Sequence, residues 1–309
     1  MLASARSAAS EALATLPHSR VARVALAGGS SSIFKIAGAA EFADSARREI
    51  VVNADVLGVL PVPAAPRLLG SDAETECPWL LMEDVSPAYR PIPQVPPRKA
   101  EIERMIVALA RVHAQSSKLD LASAFARVEG RRHVADDQDQ IPAVLDEFLA
   151  SGFDDVYPES VYVLVRQLRD SVPALSEAIR AEAPVLLHGD AHHQNALHGA
   201  SDAMLIDWSQ ATTGPGEVDL GSTLAMNLPR LIGRAREADA LELYANTLRE
   251  HGVATSLEAV RERYRRCLLL TVIVAIAFRA VPGIVHPTWS YLFTNAVSAA
   301  IELESGALL

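Results

Sequence analysis

His188-Gly189-Asp190-Ala191-His192-His193-Gln194-Asn195 is followed, after eight intervening residues, by Met204-Leu205-Ile206-Asp207-Trp208, which places three oxygen-bearing side chains within one short stretch. The apolar run Pro184–Leu187 reads as a buried strand that delivers the His188–Asn195 loop. Asn195–His198 and Ala203–Asp207 read as two strands about a Gly199–Asp202 turn. In an antiparallel hairpin the first residue of one strand faces the last of the other, so Asn195 is expected to meet Asp207 beside the loop carrying Asp190. Neighbouring carboxylates raise each other's pKa unless a cation relieves them. Mg²⁺ accepts such hard oxygen ligands, with waters and substrate phosphates completing its shell. Phosphoryl transfer needs this combination: metal ions on the phosphates and a nearby Asp that orients and deprotonates the attacking hydroxyl.

Other chemistry fits parts of the motif. His188, Asp190, His192 and His193 are plausible transition-metal ligands, although a Zn²⁺ site gives the Ile-Asp-Trp strand nothing to do. His188 and His192 read better as scaffolding of the loop, and His193 and His198 acquire no role.

The pattern resembles the aminoglycoside phosphotransferase and choline kinase family, distant relatives of the protein kinases. Its motif, His-Gly-Asp-x-His-x-x-Asn and then an apolar strand ending in Asp, is matched by His188, Gly189, Asp190, His192, Asn195 and Asp207. The resemblance implies an α+β, protein-kinase-like two-lobe fold, with a small antiparallel-sheet N-lobe and a larger, mostly helical C-lobe. It also implies ATP and Mg²⁺ as cofactors, Asp190 as catalytic base, Asn195 and Asp207 as metal ligands, and a small-molecule hydroxyl as acceptor.

The chain as a whole is compatible with that fold. Its 309 residues are 50% hydrophobic, enough for a large core in one domain or two lobes. Net charge is −10, from 28 basic and 38 acidic residues, and the mean hydropathy is +0.16. Nothing points to nucleic-acid binding, which rests on basic patches. Cys77 and Cys267 lie far apart and fit a reducing cytoplasm. The Ala-rich start lacks a sustained apolar segment, so no signal peptide is read. The most hydrophobic run, Cys267–Phe278, would span roughly 18 Å as a helix against about 30 Å of hydrocarbon, which makes it a buried helix and not a membrane span.

Along the chain, a short helix is expected at Ser10–Leu16, strands at Val21–Leu26 and Ile33–Ile36, and a helix at Ser45–Leu57 broken by Pro61, Pro63 and Pro66. Two further strands follow at Arg67–Gly70 and Trp79–Met82. The segment Pro87–Pro97 holds neither a regular helix nor a central strand, so the lobes are divided as 1–85 and 86–309. Helices are then expected at Arg98–Ser117, Val161–Ile179, Leu231–His251 and Leu257–Arg279.

On the nucleotide side, Gly28, Gly29, Ser30 and Ser31 supply flexible backbone whose N–H groups can approach phosphates, although most such turns are only turns. A kinase-like site also needs a lysine on the phosphates paired with a helix glutamate. Lys35 is the sole lysine before the proline segment, and Glu49 follows at a suitable distance. In the family a full strand and turn separate glycines from lysine. Here Lys35 follows the turn closely, so either it works from an abbreviated sheet or the usual lysine is missing. As an ordinary side chain it would be a snorkelling surface lysine. Trp79–Asp84 looks like the strand entering a hinge, with Glu83 and Val85 as main-chain contacts to the base. Met82 suits the core.

The acceptor side is thinner. Glu217 and Asp219 are placed on the substrate side, Glu217 facing an acceptor, with loop binding or a helix N-terminal charge as the other readings of Asp219. Acidic residues from Asp136 to Glu159 would suit a cationic acceptor, or simply form a solvated face. Trp289 and Tyr291 would make an aromatic wall for a sugar or amine, or pack the last helix. A fold shared by many functions does not name the substrate. Two other functions remain open: a non-catalytic nucleotide-binding regulator, favoured by the shortened clamp, and a metal-dependent hydrolase.

Overall fold

The computed structural model describes residues 10–309 except 17, 27, 93–95, 129, 131, 137, 152–156, 229 and 279–285, without the side chains of 230–234 and 286–289. The N-terminal half is a five-stranded antiparallel sheet crossed by one helix. Its elements are β1 (Ser10–Thr15), β2 (Ser19–Ala25), β3 (Ser31–Ala37), helix α1 (Ala43–Val51), β4 (Leu68–Asp72) and β5 (Trp79–Glu83), with spatial order β1-β2-β3-β5-β4. Ser10–Thr15, expected as a helix, is therefore a strand. Its sequence Ser-Glu-Ala-Leu-Ala-Thr favours helix locally, but β2 offers a free edge, and Ser10 to Thr15 pair with Val24 to Arg20 along it. Tertiary pairing overrides propensity. The sheet is consequently not abbreviated, and Lys35 sits on its third strand.

Helix α1 continues through a π-type turn (Val52–Val56) and a 3-10 turn (Leu57–Val59). It ends where Leu60 turns extended, with ψ 135°, ahead of Pro61, because a residue preceding proline is disfavoured in the helical region. The buried face of this segment, Val52, Val56 and Leu57, packs with Leu109, Val112, Leu186, Leu205 and Trp208 from beyond the proline segment.

The rest is mostly helical. In chain order it comprises β6 (Arg90–Pro91), α2 (Lys99–Ser116), α3 (Leu121–Phe125), α4 (Ile141–Ala150), α5 (Glu159–Arg180), β7 (Val185–Leu187), β8 (Ala196–His198), β9 (Ala203–Leu205), β10 (Thr212–Gly214), α6 (Glu217–Asn227), α7 (Arg230–Glu250), α8 (Leu257–Phe278) and α9 (His286–Glu302). The proline segment contributes only β6, on the edge of the β6-β8-β9 sheet, where a missing N–H is tolerated. Residues 93–95 of that segment lie outside the described residues. Along α8 the stretch from Cys267 to Ile273 is buried throughout. Among the described residues no helix is long and apolar enough to cross a membrane.

Candidate active site

The polar loop begins where the buried strand β7 ends. Leu186 and Leu187 are fully buried, and the N–H of Leu186 donates to Ser116 Oγ of α2 at 3.0 Å. Gly189 then adopts φ +79°, and a Cβ built there would lie 2.1 Å from the carbonyl oxygen of Gln210. Only glycine satisfies both the backbone angle and the contact. Beneath the turn, Asp219 of α6 accepts from the N–H of His188 (2.6 Å) and of Gly189 (3.0 Å), while His113 Nε2 lies 3.3 Å from it. Burial pushes the Asp219 carboxyl up, but His113, His188 and the backbone donors prevail and hold it below its usual value.

His188 connects this loop to the following hairpin. Burial depresses its pKa, leaving a neutral ring. Its Nε2 faces the Ile206 carbonyl at 2.9 Å, its Nδ1 accepts from the Asp190 N–H at 3.3 Å, and its ring lies 4.5 Å from that of Trp208. A donor at Nε2 and an acceptor at Nδ1 are the two roles of one neutral tautomer. His192 likewise serves the loop, accepting from Gln194 N–H at 3.3 Å. His193 binds Asn227, an interaction absent from the sequence reading.

Asp190 and Asn195 meet at the solvent edge. The Asn195 amide nitrogen donates to the Asp190 carbonyl (2.9 Å) and to Asp190 Oδ2 (3.0 Å), with His192 Nε2 at 3.2 Å. Asp190 is 40% exposed. The hairpin register runs Ala196↔Leu205, and the Ile206 N–H donates to Asn195 O at 2.9 Å. Asn195 thus faces Ile206, so its expected direct opposition to Asp207 is off by one residue. Asp207 follows in the left-handed region (φ +64°, ψ +68°), a conformation uncommon for a non-glycine residue. This leads the chain out of the strand into the Trp208–Gln210 turn.

The two halves of the molecule meet at Lys35. Its Nζ lies 2.7 Å from Glu49 Oε2 and 2.8 Å from Asp207 Oδ1. Glu49 is 1% exposed, and burial first, with Asp207 adding to it, raises its pKa against the pull of Lys35. Burial lowers the Lys35 pKa, but Glu49 and Asp207 together overcome this and raise it. Burial would also raise that of Asp207; the Lys35 charge and the bonds from Lys35 and Ser209 instead hold it at about 2. The cluster is therefore an ammonium between two carboxylates, with Ser209 Oγ donating to Asp207 Oδ1 at 2.7 Å.

The glycine turn is not part of this gathering. Ser32 pairs with Glu83 at the hinge end of the sheet, and Ser31 and Lys35 are four residues apart on β3, about 13 Å at a strand's rise. Gly28 (φ +101°) and Gly29 (φ +85°) are explained by backbone conformation alone, since a Cβ at either would touch nothing. Ser31 Oγ instead donates to Asp84 Oδ2 at 2.6 Å, joined there by Arg23 Nε at 2.8 Å, while Asp84 Oδ1 accepts from Ser86 N–H at 3.0 Å. Burial opposes ionisation of Asp84, but these donors hold it well below the carboxylate range. This clasp between sheet and hinge had no local signal, because Arg23 and Asp84 are 61 residues apart. At the hinge the Glu83 N–H donates to Arg67 O at 2.9 Å. Val85 accepts from Ala88 and Tyr89 through its carbonyl, and its N–H has no partner among the described residues.

The placement of Glu217 and Asp219 against a substrate requires correction, whereas the loop contact expected as one reading of Asp219 is present. Asp219 is 1% exposed and lies under the loop, so it reaches no acceptor. Glu217 is 3% exposed and paired with Arg263 at 2.9 Å. Of the acidic run, Asp136 accepts from the N–H groups of Arg132 and His133, and Asp146 pairs with Arg169. Asp137, Asp154, Asp155 and the side chain of Trp289 lie outside the described residues. No three His, Cys, Asp or Glu side chains converge as a metal cluster among the described residues, which leaves the Zn²⁺ reading without a ligand set.

The model of the phosphotransferase enzyme family matches residues 18–259. Search of the curated proteins returns no match. Among solved structures, macrolide 2'-phosphotransferase MphH from Brachybacterium faecium superposes with TM-score 0.58 at 15% identity, covering 97% of this chain and 90% of that one. A choline/ethanolamine kinase family protein from Mesorhizobium loti gives 0.58 at 16%, covering 98% and 94%. A thermostable mutant of aminoglycoside phosphotransferase APH(4)-Ia, in ternary complex with ADP and hygromycin B, gives 0.57 at 15%, covering 99% and 97%. Likeness at such identities shows a shared fold.

Proposed function

Because this chain belongs to the phosphotransferase enzyme family, we propose that it transfers the terminal phosphoryl group of ATP to a hydroxyl of a small molecule. The observation that carries this reading is the placement of Lys35 between Glu49 and Asp207, 2.7 and 2.8 Å away, with Asp190 and Asn195 joined at 3.0 Å alongside. We take residues 1–85 as the nucleotide-clamping lobe and 86–309 as the lobe carrying the reacting groups. The Val85 N–H and the Glu83 carbonyl hold the base, and Lys35 steadies the phosphates. The connection between β1 and β2, closed by Leu16 N–H to Ser19 O at 2.8 Å, lies at the Lys35 end of the sheet. It is the turn nearest the phosphates in this arrangement.

The donor set suits Mg²⁺. Asn195 spends its amide nitrogen on the loop, leaving the oxygen for a cation. Asp207 remains ionised and takes Lys35 and Ser209 on Oδ1, leaving Oδ2. Bound there, Mg²⁺ would neutralise charge on the phosphate oxygens. Asp190, open to solvent, accepts the acceptor's hydroxyl proton as the new P–O bond forms and the bond to ADP breaks. Gly189 and Asp219 fix the turn from which it projects.

The named relatives suggest aminoglycosides, macrolides and amino alcohols as the first acceptors to screen, followed by sugars and nucleosides. In Asp190→Asn, transfer to a responding acceptor should fall by roughly 10²–10⁴-fold, while ADP binding measured by calorimetry stays unchanged. Undiminished transfer would remove Asp190 from the chemistry. The regulatory alternative drew its support from a shortened clamp, and the five-stranded sheet withdraws that support.

A further inference from the structure

Behind the hairpin that bears Asp207 lies a cleft of about 170 Å³, walled by Val62, Tyr89, Ala108, Arg111, Asp202 and Met204. None of Lys35, Glu49, Asp190, Asn195 or Asp207 lines it. Its polar groups are out of balance. Arg111 is half-buried, its Nε is shielded without a hydrogen-bond partner, and no carboxylate among the described residues pairs with its guanidinium. One turn along the same face of α2, Gln115 accepts the Val62 N–H through Oε1 at 3.1 Å and leaves Nε2 buried without an acceptor. Two turns back, Arg104 Nε is also buried and unpartnered, although neither it nor Gln115 belongs to the cleft lining. Ala108 lies between the two arginines, and its small side chain leaves room. Asp202, the one carboxylate in the wall, receives the Tyr89 hydroxyl at 2.9 Å.

In the cleft wall itself the unpaired guanidinium of Arg111, shielded at Nε, calls for a ligand rich in acceptors. Charge removed from water is normally paired. We propose that this cleft is a second, non-catalytic binding site for a small oxyanion, a phosphate or carboxylate group held by the guanidinium fork of Arg111. The fork matches either group with two parallel hydrogen bonds. A tetrahedral oxyanion or a short dicarboxylate fits a cleft of this size. The site sits at a junction: Leu205 N–H of β9 donates to Ala64 O of the linker at 2.8 Å beside it. Its occupant would bridge the segment after α1, helix α2 and the strand leading to Asp207. Nothing in this assignment depends on the phosphotransfer reading.

The test is thermal unfolding of the full chain, free of Mg²⁺ and nucleotide, titrated with inorganic phosphate or malonate against chloride of equal ionic strength. Concentrations are kept below about 20 mM, where general salt exclusion is small. The wild type should gain stability saturably with at least one oxyanion, and whichever responds identifies phosphate or carboxylate as the source. Arg111→Leu should lose that response while matching the wild type in chloride, and Lys35→Met, altered at the other site, should keep it. If Arg111→Leu does not fold, Arg111→Lys, which retains the charge but not the fork, should bind about tenfold more weakly. A wild type indifferent to both oxyanions would mean a cleft filled by water and would overturn the proposal. An Arg111 variant that responds like the wild type would do the same.

Discussion

Replacing Asp219 by Asn tests whether one buried carboxylate holds the turn before Asp190. The substitution preserves shape and removes charge. Both carboxylate oxygens are in use, accepting from His188 N–H at 2.6 Å and Gly189 N–H at 3.0 Å, and the side chain is 1% exposed. Whichever way the Asn amide turns, its NH₂ confronts one of these backbone donors. One charge-assisted hydrogen bond is lost, at about 1.5–3 kcal/mol, and a buried N–H is left unpaired, at about 1–3 kcal/mol. Together these come to about 2.5–6 kcal/mol, a large share of the roughly 5–15 kcal/mol that keeps a domain folded. The shifted turn also displaces Asp190, and misplacement by about 1 Å costs on the order of 10²-fold in rate. Urea unfolding at pH 7 measures the first effect, and acceptor-dependent ADP release at a temperature where the variant is folded measures the second. Stability within about 0.5 kcal/mol of wild type would refute the energetic reasoning. A destabilised variant with full turnover would show that Asp219 supports the fold without positioning Asp190.

Lys35→Met should abolish turnover and, by leaving Glu49 buried without its cation, cost about 3–5 kcal/mol in urea unfolding. The double variant Lys35→Met/Glu49→Leu should recover most of that stability and none of the activity, because an apolar pair can replace a buried ion pair; failure to recover would mean that Glu49 does not carry the penalty. Acid should weaken the protein partly through Asp207. Its folded pKa of about 2 lies below the ordinary aspartate value, so its contribution is full above about pH 4 and disappears as pH falls through about 2. Burial raises Glu49 and gives it the opposite sign. The informative quantity is therefore the difference between wild type and Asp207→Asn in urea midpoint from pH 5 to 2, which should shrink as the acid limit is approached. A constant difference would refute the assignment.

Much of the helical half was legible, because its signals are local. Apolar residues recurring at helical spacing placed α2, α5, α7 and α8 within a residue or two, and the prolines after Leu60 marked the end of the α1 segment. Ser10–Thr15 was misread for the same reason: Glu, Ala and Leu favour helix, and the partner that makes the segment a strand is β2, with Arg20 the first residue it meets. That error made the sheet look truncated and left the place of Lys35 open.

The order of residue types from His188 to Asp207 was enough to gather candidate groups for phosphoryl transfer, since a strand, a loop and a hairpin within twenty residues leave little freedom in where they meet. Which distant groups complete the site could not be read in that way. Lys35 reaches Asp207 across 172 positions, and Arg23 reaches Asp84 across 61. The burial of Asp219 and Glu217 likewise arises only when α6 is packed against the loop after β7 and helix α2 for Asp219, and against α8 for Glu217. Local sequence records the preferences of neighbouring residues; contacts between remote segments exist only once the chain has folded and water has been excluded, which is why the acidic residues after Gly216 looked available to a substrate and are in fact enclosed.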